Sequence, residues 1–163
     1  MEKIKFLHQN DNTVTFIFNG SLTEANQLRI KMKYHIETYA IDKMIIYNNT
    51  SQFNDEFIVH RLSLLVPIHN GNTGILKIKG PKMVKCNDIQ NIDFVYNMPI
   101  IYLNEQEELD LEVILVKNCG KVHSKWSPFS TLIFNEIDDN QYEFKCELNG
   151  LLLFNDILKL LFF

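Results

Sequence analysis

The sequence predicts an α+β protein, built mainly of short strands with helices at three places. Three observations predict it. Apolar and polar residues alternate with period two through most of the chain, in short runs broken by Gly, Pro, Asn and acidic residues. Between residues 22 and 39 the period lengthens to three and four residues. The last thirteen residues, "LLLFNDILKLLFF", have helical length and are apolar on nearly every side. With 163 residues and 46% of them apolar, the chain can bury a genuine core as one domain, or as one domain interrupted by a smaller one.

Taken in order, "KIKFLHQ" (3–9) and "TVTFIFNG" (13–20) read as two strands around the turn-prone "NDN". Leu22, Ala25, Leu28, Met32, Ile36 and Tyr39 then form one helical stripe. Ser21 with Glu24 three residues on makes a capping box, so this helix should start at Leu22. "AIDKMIIYNN" reads as a strand. "NDEFIVHRLSLLVP" reads as a helix that begins near Asp55 and stops before Pro67, because a proline pushes its predecessor out of the helical region. Its apolar side is Phe57, Ile58, Leu62 and Leu65. Glu56 and His60, four apart, share a polar face, and Arg61 lies about 100 degrees further round. Acids in its first turn and cations later suit the helix dipole.

From there to Ser127 the pattern is β again, in "GILKIKG", "KMVKC", "IDFVY", "MPIIYLN" and "EELDLEVILVKN". "STLIFNEI" and "YEFKCELNG" make a hairpin over "DDNQ". The final run has only Asn155, Asp156 and Lys159 as polar residues. A helix apolar all round must be covered on all sides, by another chain or by its own domain. The run is too short to span a bilayer. A partner subunit is the expected cover, with burial inside the chain as the alternative.

Composition narrows the chemistry. The net charge of −4 argues against a protein that grips nucleic-acid backbone on its own. No signal peptide opens the chain and no apolar run reaches the roughly 18 residues a membrane helix needs. Cys86, Cys119 and Cys146 lie far apart, which fits reduced thiols in an intracellular compartment and excludes a CxxC metal knuckle. The N-x-S/T matches at Asn19, Asn48 and Asn49 carry no meaning without secretion. His60, His69 and His123 are too scattered for a metal site, and no cofactor is expected. His123 with Ser124 or Ser127 is the one nucleophilic pairing available. Neighbours on a strand point to opposite faces, and no G-x-S-x-G elbow is present, so a hydrolase is the weakest reading.

Four stretches, in this order, are similar to one family. "LTEANQLRIKM" (22–32) resembles a first-helix signature, small-Asn-x-Leu-Arg-Arg. "NTSQFNDEFIVHRLSLLVPI" (49–68) resembles Asn-Thr-Ser followed by Asp-Glu-Phe-Ile-x-His-Arg-Leu-Gly-Leu-Ile-Pro. "LKIKGPKMVKCNDI" (76–89) is similar to a Leu-x-Gly-Pro to Asp-Ile segment, and "ELDLEVILVKNCGKVHSKWSP" (108–128) to a strand entering His-Ala-Lys-Trp-Ser-Pro. The family is the alpha-like subunits of multisubunit DNA-directed RNA polymerase: the archaeal D subunit, the eukaryotic third-largest subunit and, more distantly, bacterial alpha. The resemblance covers nearly the whole chain.

The resemblance implies a discontinuous dimerisation domain of short strands plus two helices, residues 1–46 and 127–163, interrupted by a β-rich inserted domain at 47–126. It implies a non-catalytic assembly subunit that heterodimerises with a small partner of the L or eleventh-subunit type. The pair forms a platform for the second-largest and largest polymerase subunits, in the nucleus or the cytoplasm, without sequence-specific DNA contact and without a catalytic metal of its own. The dimer seam would use Leu22, Ala25, Leu28, Met32 and Ile36 with Leu151, Phe154, Ile157, Leu158 and Leu161. Arg29, Glu56, His60 and Arg61 would meet the large subunits. His123, Lys125, Trp126 and Pro128 would form a structural corner where the chain re-enters the dimerisation domain, Trp126 as a packing anchor. The sequence leaves an alpha-like homodimer open, and a freestanding dimeric module outside the polymerase is the alternative function.

Departures from the family pattern are specific. The Arg-Arg pair is Arg29-Ile30, the Gly of His-Arg-Leu-Gly is Ser63, and Cys86 alone cannot replace the cysteine-rich insertion many relatives carry. With a composition heavy in Asn, Ile, Lys and Phe, these point to a reduced form from an AT-rich genome, viral or extrachromosomal.

Overall fold

The computed structural model describes residues 3–10, 12–68 and 71–162. His69 and Phe163 of the sequence reading lie outside them. In chain order the elements are β1 (Ile4–Gln9), β2 (Thr13–Asn19), α1 (Leu22–Tyr34), β3 (Glu37–Asn49), α2 (Asp55–Ser63), β4 (Pro67–Ile68), β5 (Thr73–Lys79), β6 (Lys82–Lys85), β7 (Asp93–Phe94), β8 (Pro99–Leu103), β9 (Glu108–Cys119), β10 (Phe129–Asp138), β11 (Gln141–Leu148) and α3 (Phe154–Phe162). Short 3-10 turns cover Cys86–Asp88 and Ser124–Trp126. The architecture is mixed α+β, mostly strands, with three α-helices among the described residues. The chain packs as two compact units, residues 1–38 with 119–163, and residues 39–118.

The first unit is an antiparallel sheet, β1-β2-β11-β10, with α1 and α3 sharing its core. Period-two alternation sends Val14, Phe16 and Phe18 of β2 to the same buried cluster as Tyr142, Phe144, Cys146 and Leu148 of β11. Register places Phe16 opposite Phe144, and their rings stack at 4.9 Å. Phe154 brings α3 onto this pair, 5.8 Å from Phe16. The β10–β11 hairpin turns through Asp139-Asn140, and Asn140 takes the left-handed φ of 59° that asparagine tolerates in tight turns.

Helix α1 begins where the capping box dictates. The Ser21 hydroxyl accepts from the Glu24 N–H at 3.3 Å, and the Glu24 carboxylate accepts from the Ser21 N–H at 2.9 Å. The Ser21 backbone N–H, then the Lys3 ammonium, hold the Glu24 carboxyl below the usual carboxylate range. The helix ends at Tyr34, earlier than the apolar stripe suggested. His35 is the cap residue, Ile36 lies outside the helix and Tyr39 lies in β3. A spacing of three or four residues between apolar side chains thus ran on by chance into a strand.

The second unit holds the sheet β3-β9-β5, the pairs β4-β7 and β6-β8, and α2. Ile58 and Leu62 of α2 are fully buried with Leu76, Leu109, Leu111 and Val113. Helix α2 stops at Ser63, before the expected limit at Pro67, because Leu64 and Leu65 turn back to bond the Arg61 and Leu62 carbonyls. Phe57 was expected on the apolar side; it remains 41% exposed and stacks on Phe53 at 4.9 Å.

Helix α3 corrects the reading of the final run twice. It starts at Phe154, so Leu151 precedes it in a turn where Gly150 has φ 93° and the Asn149 side chain accepts from the Leu151 N–H. It is also covered on one side by its own chain. Phe154, Ile157 and Leu161 are buried in the first unit's core, while Leu153 and Leu160 stay 71% and 58% exposed. Lys31 of α1 donates to the Leu161 carbonyl at 2.6 Å, satisfying one of the acceptors left open at a helix C-terminus.

Candidate functional site

Burial sorts the ten side chains expected in a dimer seam. Ala25, Leu28, Met32, Ile36, Phe154, Ile157 and Leu161 are buried in the first unit's own core. These side chains form the core of the unit itself. Leu22 is exposed, and Leu151 and Leu158 are half-buried, so these three remain on the surface with Leu153 and Leu160. The sequence showed which helix faces are apolar; it did not show that one apolar face would serve the sheet and another would be left over.

Arg29 sits beside the buried stripe of α1. Its Nε and Nη2 donate to the Asn26 Oδ1 at 3.2 and 3.0 Å. Among the described residues no carboxylate pairs with it. Asn26 therefore fixes the direction of the guanidinium without neutralising it. The three-residue spacing that permits this contact was visible in "ANQLR", yet the sequence reading assigned Asn26 no role.

Glu56, His60 and Arg61 are exposed on α2. Arg61 has an internal task as well: its Nη2 donates to the Pro99 carbonyl at 2.8 Å, and its guanidinium lies 5.7 Å from the Phe57 ring centre. The loop before α2 is organised by Asn49. Its amide donates to the Asp55 carboxylate at 2.7 Å and the Phe53 carbonyl at 3.0 Å, and its oxygen accepts from the Ser51 hydroxyl at 2.7 Å. Asn54 then caps α2 by accepting from the Phe57 N–H at 3.0 Å. The motif "NTSQFNDEF" thus positions a helix; the signal available in sequence was the density of short hydrogen-bonding side chains ahead of an apolar-periodic run.

The corner at residues 120–128 is built from packing and backbone bonds. Trp126 is 3% exposed, its carbonyl accepts from the buried Thr38 hydroxyl at 2.7 Å, and the Lys125 ammonium sits 4.4 Å from its ring centre. His123 Nδ1 accepts from the Lys125 N–H at 3.1 Å, and the Ser127 hydroxyl donates to the Phe129 carbonyl at 3.2 Å. The imidazole and the Ser127 hydroxyl thus engage different partners. Pro128 is buried, and Asn149 ties this segment to the end of β11 through the Ser127 and Pro128 carbonyls.

The same corner closes α1. The Lys121 N–H donates to the Tyr34 carbonyl at 3.1 Å, and a Cβ on Gly120 would stand 2.3 Å from the Lys33 carbonyl oxygen. Gly120 is therefore required by close backbone approach. Gly120→Ala is expected to cost about 1–3 kcal/mol through forced displacement of the corner. Urea unfolding followed by circular dichroism checks it; a midpoint equal to the parent's would mean the corner is looser than its contacts imply.

Burial pushes the Cys146 thiol up to about 12 and the Cys86 thiol upward, so neither is a ready thiolate nucleophile or metal ligand. Among the described residues no three His, Cys, Asp or Glu side chains converge on a metal-sized site. Among them, too, no helix is long and apolar enough to cross a membrane.

No protein-family model matches the chain. Curated relatives do. The chain is 31% identical over 156 residues to the DNA-directed RNA polymerase subunit Rpo3 of Methanocaldococcus jannaschii, covering 88% of this chain and 81% of that protein. It is 31% identical over 166 residues to Rpo3 of Archaeoglobus fulgidus, covering 85% of this chain and 62% of that protein. Subunit RPAC1 of the bovine RNA polymerases I and III is 25% identical over 190 residues, with 84% of this chain and 55% of that protein covered.

Proposed function

Since the chain belongs to the alpha-like Rpo3 family of DNA-directed RNA polymerase subunits, we propose that it is a non-catalytic assembly subunit of such a polymerase. It pairs with a small L-type subunit through its discontinuous unit and offers the pair to the second-largest and largest subunits. The observation that carries this reading is the coincidence of two features on α1. One apolar face is already sealed against the sheet, and Arg29 is held at its margin by Asn26 with no carboxylate of the described chain to satisfy it.

The partner-facing surface in this reading is the apolar remainder of α1, of α3 and of the turn before α3: Leu22, Leu151, Leu153, Leu158 and Leu160. Burying several leucines against a partner contributes roughly 1.5–3 kcal/mol each before the cost of association. Arg29 and the exposed side of α2 then face the large subunits. A guanidinium already oriented by a neighbour loses less entropy on meeting a carboxylate, and its planar fork suits a bidentate contact.

Two measurements test the reading. A tagged chain purified from its source is expected to bring down one small subunit and the large polymerase subunits. Recovery of one small partner alone favours a freestanding dimeric module instead. In the same assay Arg29→Ala should keep the small partner at parental yield while incorporation into polymerase falls several-fold. Full incorporation of the alanine variant would return Arg29 to an ordinary surface residue.

A further inference from the structure

The second unit carries an open groove of about 500 Å³ that the sequence reading did not anticipate. One wall is α2 and its C-cap, with Phe57, His60, Arg61 and Leu64; the other is the segment from Tyr96 to Ile100. Leu64, Tyr96 and Met98 are 52%, 46% and 51% exposed. A sheltered apolar surface of this kind, holding a flexible thioether and an aromatic ring, is suited to receiving another apolar surface.

Two properties say what kind. First, among the described residues no carboxylate lines the groove, in a chain whose net charge is −4; the nitrogen groups lining it are those of His60 and Arg61. Arg61 is held in place by the Pro99 carbonyl and by Phe57, so its remaining N–H groups are presented from a fixed position. Second, three main-chain carbonyls along the walls are already bonded. That of Val66 accepts from the Val95 N–H at 3.0 Å, that of Tyr96 from the Met98 N–H at 3.0 Å, and that of Pro99 from Arg61. An extended peptide binds by main-chain pairing, and at these three positions the carbonyl is already engaged. A helix needs none, because its own backbone is satisfied.

We infer that this groove receives an amphipathic helix of a partner polypeptide, its apolar ridge seated on Leu64, Tyr96 and Met98 and an acidic residue of the same face bonded to Arg61. The inference rests on the assembly reading only for where such a helix comes from, namely a neighbouring polymerase subunit. Residues spaced by three and four on the incoming helix would place two apolar anchors and one carboxylate along a single face.

The test places a photo-crosslinking benzoylphenylalanine at Met98 of the full chain, with the same group at Ile75 on exposed β5 as control. In purified polymerase containing the chain, the Met98 position is expected to crosslink to a helical segment with an acidic residue within one turn. Arg61→Glu should lower that yield about tenfold or more and Arg61→Lys much less, with both variants melting within a few degrees of the parent. A crosslink to a basic or extended segment, to nucleic acid, or to nothing in assembled polymerase would overturn the inference. Should the chain enter no polymerase, the assembly reading fails on its own. The groove is then tested by fluorescence anisotropy with a designed leucine–glutamate amphipathic helix and its leucine–lysine counterpart. Preference for the acidic helix, inverted by Arg61→Glu, sustains the groove; equal binding, or none, overturns it.

Discussion

Trp126→Ala is expected to lower the stability of the discontinuous unit by about 3–5 kcal/mol, the range for emptying a well-packed aromatic site. The indole is 3% exposed and sits where the chain passes from β9 back into the four-stranded sheet. Its removal leaves a cavity where the indole is buried and strips the Lys125 ammonium of the ring it covers at 4.4 Å, while the Thr38 bond to the residue-126 carbonyl remains available. The chain has no other tryptophan, so unfolding must be followed by circular dichroism in parent and variant alike. A loss in this range lowers the melting temperature by roughly 10 °C in a chain of this size. Trp126→Phe, which refills most of the volume, should recover more than half of it. A loss below about 1 kcal/mol would show that the ring is a bystander to the corner.

Leu28→Asp and Leu158→Asp should separate folding from partnership. Leu28 is 8% exposed in the first unit's core, beside Ala25 and Met32 on the sealed face of α1. An aspartate there puts a carboxylate among apolar side chains without a partner, at a cost of several kcal/mol, and the variant should be recovered unfolded or aggregated. Leu158 only half-covers that core and keeps part of its side chain outside. Its aspartate variant should fold, with a loss on the order of 1–2 kcal/mol, yet fail to retain the small subunit. Thermal melting read beside co-purification decides between the two effects. Equal unfolding of both variants would mean that Leu158 is core; equal retention of the partner would remove α3 from the interface.

Several elements were legible because short-range chemistry determines them. The Ser21–Glu24 reciprocal bonds start α1 at Leu22 in isolation from anything else, and an asparagine able to take positive φ turns the β10–β11 hairpin in place. Motif order carried the family, because "NTSQFNDEFIVHRL" and "GKVHSKWSP" are long enough to be improbable by chance. Helix ends were less legible. The apolar spacing of α1 continues through Ile36 and Tyr39, yet the helix closes at the His35 cap and Tyr39 enters β3, which pairs with β9.

By itself, then, the sequence determined the class of fold, the starts of α1 and α2, the alternation that builds the sheet core and the family to which the chain belongs. These follow from interactions within a few residues and from period. Tertiary structure decided which apolar residues are used up inside the chain. Phe154, Ile157 and Leu161 go to the sheet while Leu153 and Leu160 stay out, a division no periodicity encodes, because a stripe states which way side chains point and not what stands opposite. It also decided that Asn26 aims Arg29, that Arg61 is pinned by a carbonyl 38 residues away, and that α2 and the Tyr96–Ile100 segment form a groove. Those are long-range contacts, created only when the chain closes on itself, and the surfaces proposed for partners consist of what that closure leaves exposed.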